Sequence, residues 1–169
     1  DGALTDTQSI AVTVTNVNEA PLITSAAAAS VTENQTAATT VTSSDVDGGA
    51  PVYSIAGGAD AALFSIDSAT GVLTFNAAPN FEAPGDAGGN NVYDVTVQVA
   101  DGNGGFDTQA IAVTVTNVNE APVITNAATA NAAENQTTVT TVTSTDVDGG
   151  SAVYSIVGGA DAALFSIDS

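Results

Sequence analysis

The side chains able to do chemistry in this chain are its acids. Nineteen Asp and Glu residues stand among 169, with no Lys, Arg, His, Cys, Met or Trp, for a formal net charge of -19. They fall at Glu33, Asp45-Val46-Asp47-Gly48, Glu82 and Asp101-Gly102, with Glu19 and Glu120 close to Pro21 and Pro122. Two unit charges 4 Å apart interact by about 4 kcal/mol at an effective dielectric of 20. Converging carboxylates would therefore strain a fold that has no cationic side chain to offset them. Ca²⁺ suits them as counter-ion, since it takes six to eight oxygens, carbonyls and Asn amides included. Zinc and copper do not, because His, Cys and Met are absent. An EF-hand fails on inspection: Asp45-Val46-Asp47 opens correctly, but the twelfth loop position is Ala56, where Glu is needed. The calcium-binding nonapeptide Gly-Gly-x-Gly-x-Asp is also absent. A second reading fits the same residues, because Asp-Gly and Asp-x-Asp-Gly also form turns in which Asp caps backbone amides. Glu19 and Glu120 read equally as ordinary linker acids. Asp60, Asp67, Asp86, Asp94 and Asp107 read as solvated surface.

The elements that must hold these acids are strands. Tyr93, Val95, Val97 and Val99 alternate with Asp94, Thr96, Gln98 and Ala100, and Ile111, Val113 and Val115 alternate with Ala112, Thr114 and Thr116. Period-two alternation buries one face of a strand. Val52–Ile55, Leu63–Asp67 and Val72–Phe75 are shorter candidates, the last two joined by the turn-like Ser68-Ala69-Thr70-Gly71 as a hairpin. Ala26–Ala29 is too short to nucleate a helix and reads as loop or strand. The apolar fraction of 44% supports a core, rich in Ala and Val, which suits sheets. About seven strands per unit indicate an all-β sandwich.

The unit repeats. Residues 7–68 align without a gap onto 108–169, an offset of 101, and 13 of the 62 pairs differ. Thr15–Pro21 returns as Thr116–Pro122, Glu33–Thr36 as Glu134–Thr137, and Asp45–Gly49 as Asp146–Gly150. A period of about 100 residues is long enough for a domain with its own core. The expected division is the last strand and linker of one repeat at 1–18, a complete repeat at 19–119, and the first half of another at 120–169. Asn34-Gln35-Thr36 and Asn135-Gln136-Thr137 also fit a glycosylation sequon.

The order and spacing of these motifs resemble the cadherin-like tandem repeats of large bacterial surface adhesins. Asn117-Val118-Asn119-Glu120-Ala121-Pro122 resembles that family's inter-domain linker, Glu33-Asn34 its Glu-Asn motif and Asp45-Val46-Asp47 its Asp-x-Asp motif. Asn80-Phe81-Glu82 stands where the family often has Asp-x-Glu, Ala100-Asp101-Gly102 resembles a further acidic motif, and Phe64–Leu73 is typical of it as well. The resemblance implies Greek-key, cadherin- or immunoglobulin-like modules joined end to end, with calcium between them. At the junction after Pro122 it implies the ligands Glu33, Glu82, Asn117, Asn119, Glu120, Asp146 and Asp148. At the preceding junction it implies Asn16, Asn18, Glu19, Asp45, Asp47 and Asp101, and Glu134 is the counterpart of Glu33 for the next one. Asn80, Asn16 and Asn117 stand where the family often has Asp, which implies fewer ions or looser binding at each junction.

Three classes of function compete. A calcium-rigidified structural repeat of an extracellular adhesin, stalk or filament on a bacterial cell surface fits best. Its partners would be neighbouring repeats, like chains in a filament or a cell-surface ligand. The alternative is a carbohydrate- or protein-binding β-sandwich. Tyr53, Tyr93 and Tyr154 sit in alternating strand patterns, however, which places them in a core and not on a binding platform. An enzyme fits worst: Ser–His and Cys–His catalysis need residues the chain lacks, and a two-carboxylate glycosidase needs stacking aromatics where Trp is absent. Nucleic acid would be repelled by this charge. No apolar run approaches the roughly 20 residues of a membrane span.

Overall fold

The alternation around Tyr93 generates the longest hairpin of the structure. The computed structural model describes residues 2–168. Its strands are β1 (Leu22–Ile23), β2 (Ala28–Thr32), β3 (Ala37–Thr40), β4 (Ser43–Ser44), β5 (Val52–Gly57), β6 (Phe64–Ile66), β7 (Val72–Phe75), β8 (Val92–Ala100), β9 (Phe106–Thr116), β10 (Val123–Ile124) and β11 (Ser144–Thr145). Single 3₁₀ turns stand at Ala61–Leu63 and Ala162–Leu164. One sheet has the order β2-β9-β8-β5 and a second the order β3-β7-β6, with β1 and β4 as a short ribbon. Pairing is antiparallel except between β2 and β9, which run parallel from Ala28↔Ala112 to Thr32↔Thr116. The chain is an all-β sandwich, as its patterning indicates.

Val is the commonest residue of the core between the sheets. Val95, Val97 and Val99 of β8 and Ile111, Val113 and Val115 of β9 meet Phe64, Leu73 and Phe75 from the smaller sheet. The Phe75 ring lies 4.5 Å from Phe64 and 5.1 Å, edge-on, from Tyr93. Tyr53 is buried too, its hydroxyl 2.9 Å from Ser43 Oγ. The predicted hairpin forms, with Phe64 opposite Phe75. Asp67 closes its turn by accepting the amides of Ala69 (3.0 Å) and Thr70 (2.8 Å). Ala28 and Ala29 open β2, so the Ala-rich run is in part a strand.

The flanks behave differently. Residues 2–21 form no strand, although the last strand of a preceding repeat is expected within 1–18. Ile10, Val12 and Val14 are 76–90% exposed, while their counterparts Ile111, Val113 and Val115 are at most 1% exposed. The pattern is identical, but β9 lies between β2 and β8, and residues 10–14 have no such neighbours among the described residues. Beyond residue 120 only local pairings recur. Val123 pairs with Thr145 as Leu22 does with Ser44, and Tyr154 Oη lies 3.0 Å from Ser144 Oγ. The strands that cover this core in the central unit have no second copy within residues 120–168.

At Gly71 (φ 71°) an added Cβ would collide with the carbonyl oxygen of Val41. Gly71→Ala should lower unfolding free energy by about 2 kcal/mol or more, from overpacking and a left-handed backbone together. Urea titration followed by tyrosine fluorescence checks this.

Candidate metal centre

Glu33 directly follows β2, and its side chain is 1% exposed. A buried carboxylate needs compensation, and two backbone amides supply it. Val118 donates to Oε1 at 2.8 Å and Phe81 to Oε2 at 2.9 Å. Glu33 thereby ties the linker to the loop that carries Glu82. Its amide donates to Thr116 O at 3.0 Å, which closes the end of β9.

Around it three carboxylates converge. Oxygens of Glu33, Glu82 and Glu120 all lie within 4.8 Å of one another, a grouping that comes from the sandwich and the linker together. Asp148 reaches back from the following segment, where its Oδ2 accepts the Glu120 amide at 2.6 Å. Asp146 Oδ1 in turn accepts the Asp148 amide at 3.1 Å. Asn117 Nδ2 donates to Glu82 Oε1 (3.1 Å), Asn34 Nδ2 to Glu120 Oε1 (2.6 Å) and Asn119 Nδ2 to Glu120 O (2.9 Å). These seven predicted residues therefore share one hydrogen-bonded neighbourhood. Glu82 Oε2, Glu120 Oε2 and Asp148 Oδ1 are shielded from solvent and have no partner. Carboxylate and amide oxygens, three of them orphaned and none opposed by a cation, form a donor set that fits Ca²⁺.

The electrostatics record the crowding. Loss of water pushes the Glu120 carboxyl above the usual range, and the charges of Glu33, Asp148 and Glu82 add to this against the Asn34 amide. Asp148 is held below it, first by the Glu120 N–H and then by Asn117.

The other cluster repeats half of this pattern. Glu19 N donates to Asp47 Oδ2 (2.7 Å), Asp47 N to Asp45 Oδ1 (2.9 Å) and Asn16 Nδ2 to Asp47 Oδ1 (2.6 Å). Asn18 Nδ2 bonds Asp101 Oδ2 at 2.7 Å and Glu19 O at 3.2 Å. Asp101 lies below its ordinary pKa because of Asn18 and then the Asn103 amide. Glu19 is raised by its hydrogen bond and charge contact with Asp47. Glu134 stands exposed and joins neither cluster. Its counterpart Glu33 is enclosed by residues 79–81 and 116–118, and residues 120–168 contain no second copy of either segment.

Sequence reasoning missed three acids and one amide. Asp60 and Asp86, read as solvated, are 4% and 7% exposed. Asp60 accepts the amides of Ala87 (2.7 Å) and Asp94 (2.8 Å), and Asp86 those of Asn90 and Asn91 (both 3.0 Å). Asp107 accepts the Ile23 amide at 2.9 Å. Asp86 stands in Gly85–Asn91, a Gly- and Asn-rich run in which Asp caps amides, and that signal was legible. Asn34, with φ 63°, turns its side chain onto Glu120, so the amide nitrogen of the first sequon is already engaged.

Comparison with known proteins identifies the family and the fold. Residues 18–114 match the bacterial Ig domain family, and the chain belongs to it. Its fold is also that of cadherin ectodomains. A second crystal form of human protocadherin-24 EC1-2 superposes with a TM-score of 0.55 at 20% identity, over 79% of this chain and 62% of that one. The first form gives 0.52 at 22%, over 65% and 50%. Drosophila N-cadherin EC1-4 gives 0.51 at 23%, over 64% and 28%. The chain thus spans less than two thirds of each. No curated protein matches it. A bacterial cadherin- and Ig-like repeat is the class that sequence and fold define together.

Glu33→Ala should cost the sandwich about 2–3 kcal/mol, since it orphans two amides that bond a charged acceptor. Glu134→Ala should stay within about 0.5 kcal/mol, as exposed substitutions do. Paired urea titrations separate the two.

Proposed function

We propose that this chain is a calcium-stiffened structural repeat of an extracellular surface protein, divided as 1–18, 19–119 and 120–169. The observation that carries this reading is the convergence of Glu33 and Glu82 from one unit, Glu120 from the linker and Asp148 from the next segment. Ig-like and cadherin-like domains are typically extracellular, non-enzymatic structural modules, which favours the same role. Among the described residues no helix is long and apolar enough to cross a membrane. Glu33, Glu82, Asn117, Asn119, Glu120, Asp146 and Asp148 would hold the ion, which supplies the positive charge that no side chain here provides. Without it, the linker acids repel the Asp-x-Asp loop and the joint swings. With it, both units share one set of bonds and their angle is set. The linker itself is short, lacks the Gly/Ser run of a flexible tether, and carries Pro122, which fixes one backbone angle. Neighbouring repeats are the partners this arrangement requires.

Changing Asp146→Asn and Asp148→Asn together should weaken calcium binding about tenfold or more, because affinity follows ligand charge. The central sandwich should stay folded. Calorimetric titration at unchanged affinity would remove the assignment. Small-angle scattering on a three-repeat protein tests the purpose. The maximum dimension should rise and its spread narrow when calcium is added to chelated protein. An identical profile in chelator and in calcium would instead favour the carbohydrate- or protein-binding alternative.

A further inference from the structure

Glu82 sits on residues 76–91, a segment with no strand or helix. Such a stretch needs side-chain partners to hold a ligand still. Asn91 is buried, with a left-handed φ of 62° that Asn tolerates. Asp86 accepts its amide at 3.0 Å and the Asn90 amide at 3.0 Å. The Asn91 carbonyl accepts the Val115 amide at 2.8 Å, which pins Asn91 to β9. Its side chain then turns back across the loop, and Nδ2 donates to Phe81 O at 2.9 Å. Phe81 immediately precedes Glu82, and its own amide bonds Glu33. Asp60 fastens the same loop through Ala87 N, and Tyr93 Oη accepts Gly85 N at 3.1 Å.

We propose that Asp86 and Asn91 are positioning residues for the junction. Asp86 fixes Asn91, and Asn91 holds the Phe81–Glu82 peptide so that Glu82 meets Glu33 and Glu120 already in place. The arrangement rests on the calcium reading above and extends it to residues that touch no ion. Outer partners that orient metal ligands typically change affinity 10- to 100-fold when removed, and preorganised ligands bind more tightly because less order is lost on binding.

Two variants of the full chain test this. Asp86→Asn keeps shape and removes charge. Asn91→Gly permits the left-handed backbone, keeps the N–H and removes the side chain with its Nδ2 donor. In chelator, amide hydrogen exchange should accelerate at Phe81 and across residues 81–87, with Val95 and Val97 of β8 still protected. Calcium affinity at the Pro122 junction should fall about tenfold in each variant. Unchanged affinity in both folded variants would overturn the proposal. So would faster exchange spread over β8 and β9, which is the mark of a merely structural role. If the unaltered chain takes up no calcium, the stiffening role itself fails and this proposal with it. Binding by the unaltered chain with unchanged variants sinks this proposal alone.

Discussion

Every charged side chain in this protein is negative, and that constraint organises the rest. With no Lys, Arg or His, a buried carboxylate must be satisfied by backbone N–H groups, by neutral side-chain donors such as amides and hydroxyls, or by water or an ion from outside. The fold uses the first two widely. Asp60, Asp67, Asp86 and Asp107 each cap the amides of a turn or fasten a loop, and Glu33 joins two segments through its two oxygens. At the linker these internal donors run out. Orphaned oxygens of Glu82, Glu120 and Asp148 remain there, and the ion proposed for this junction would be the third solution.

The two copies of the repeat separate local from non-local causes. Ser144 and Tyr154 meet as Ser43 and Tyr53 do, because those contacts span ten residues. Ile10, Val12 and Val14 carry the pattern of Ile111, Val113 and Val115 but stay exposed, because burial of that pattern needs strands far away in sequence. Among the described residues, the shared sequence closes a sandwich only where both halves of the unit are present. Loop-closure entropy is repaid only when the distant partners are present.

Much of this was legible beforehand. Strict alternation located β8 and β9, the turn residues located the β6–β7 hairpin, and the resemblance to cadherin-like repeats implied Glu33, Glu120, Asp146 and Asp148 as one group. What escaped was burial of single acids. Composition and period say nothing about which Asp faces amides, so Asp60 and Asp86 looked the same as Asp94, whose side chain does stay exposed. Local context held more than was taken from it, since Asp86 sits in a Gly- and Asn-rich run. Asp60 had no comparable flag, because its partners at Ala87 and Asp94 are 27 and 34 residues away.

The parallel pairing of β2 with β9 has a mechanical consequence. These strands lie side by side in one sheet but near the two ends of the unit in sequence: β2 follows the preceding linker through β1, and β9 leads into the next one. Tension along the chain therefore pulls them in opposite directions along their shared length. The rungs from Ala28↔Ala112 to Thr32↔Thr116 lie across that pull and are loaded together in shear. They are not opened one at a time, as they would be if the load peeled a hairpin from its turnless end. A module wired in this way resists stretching through several hydrogen bonds at once.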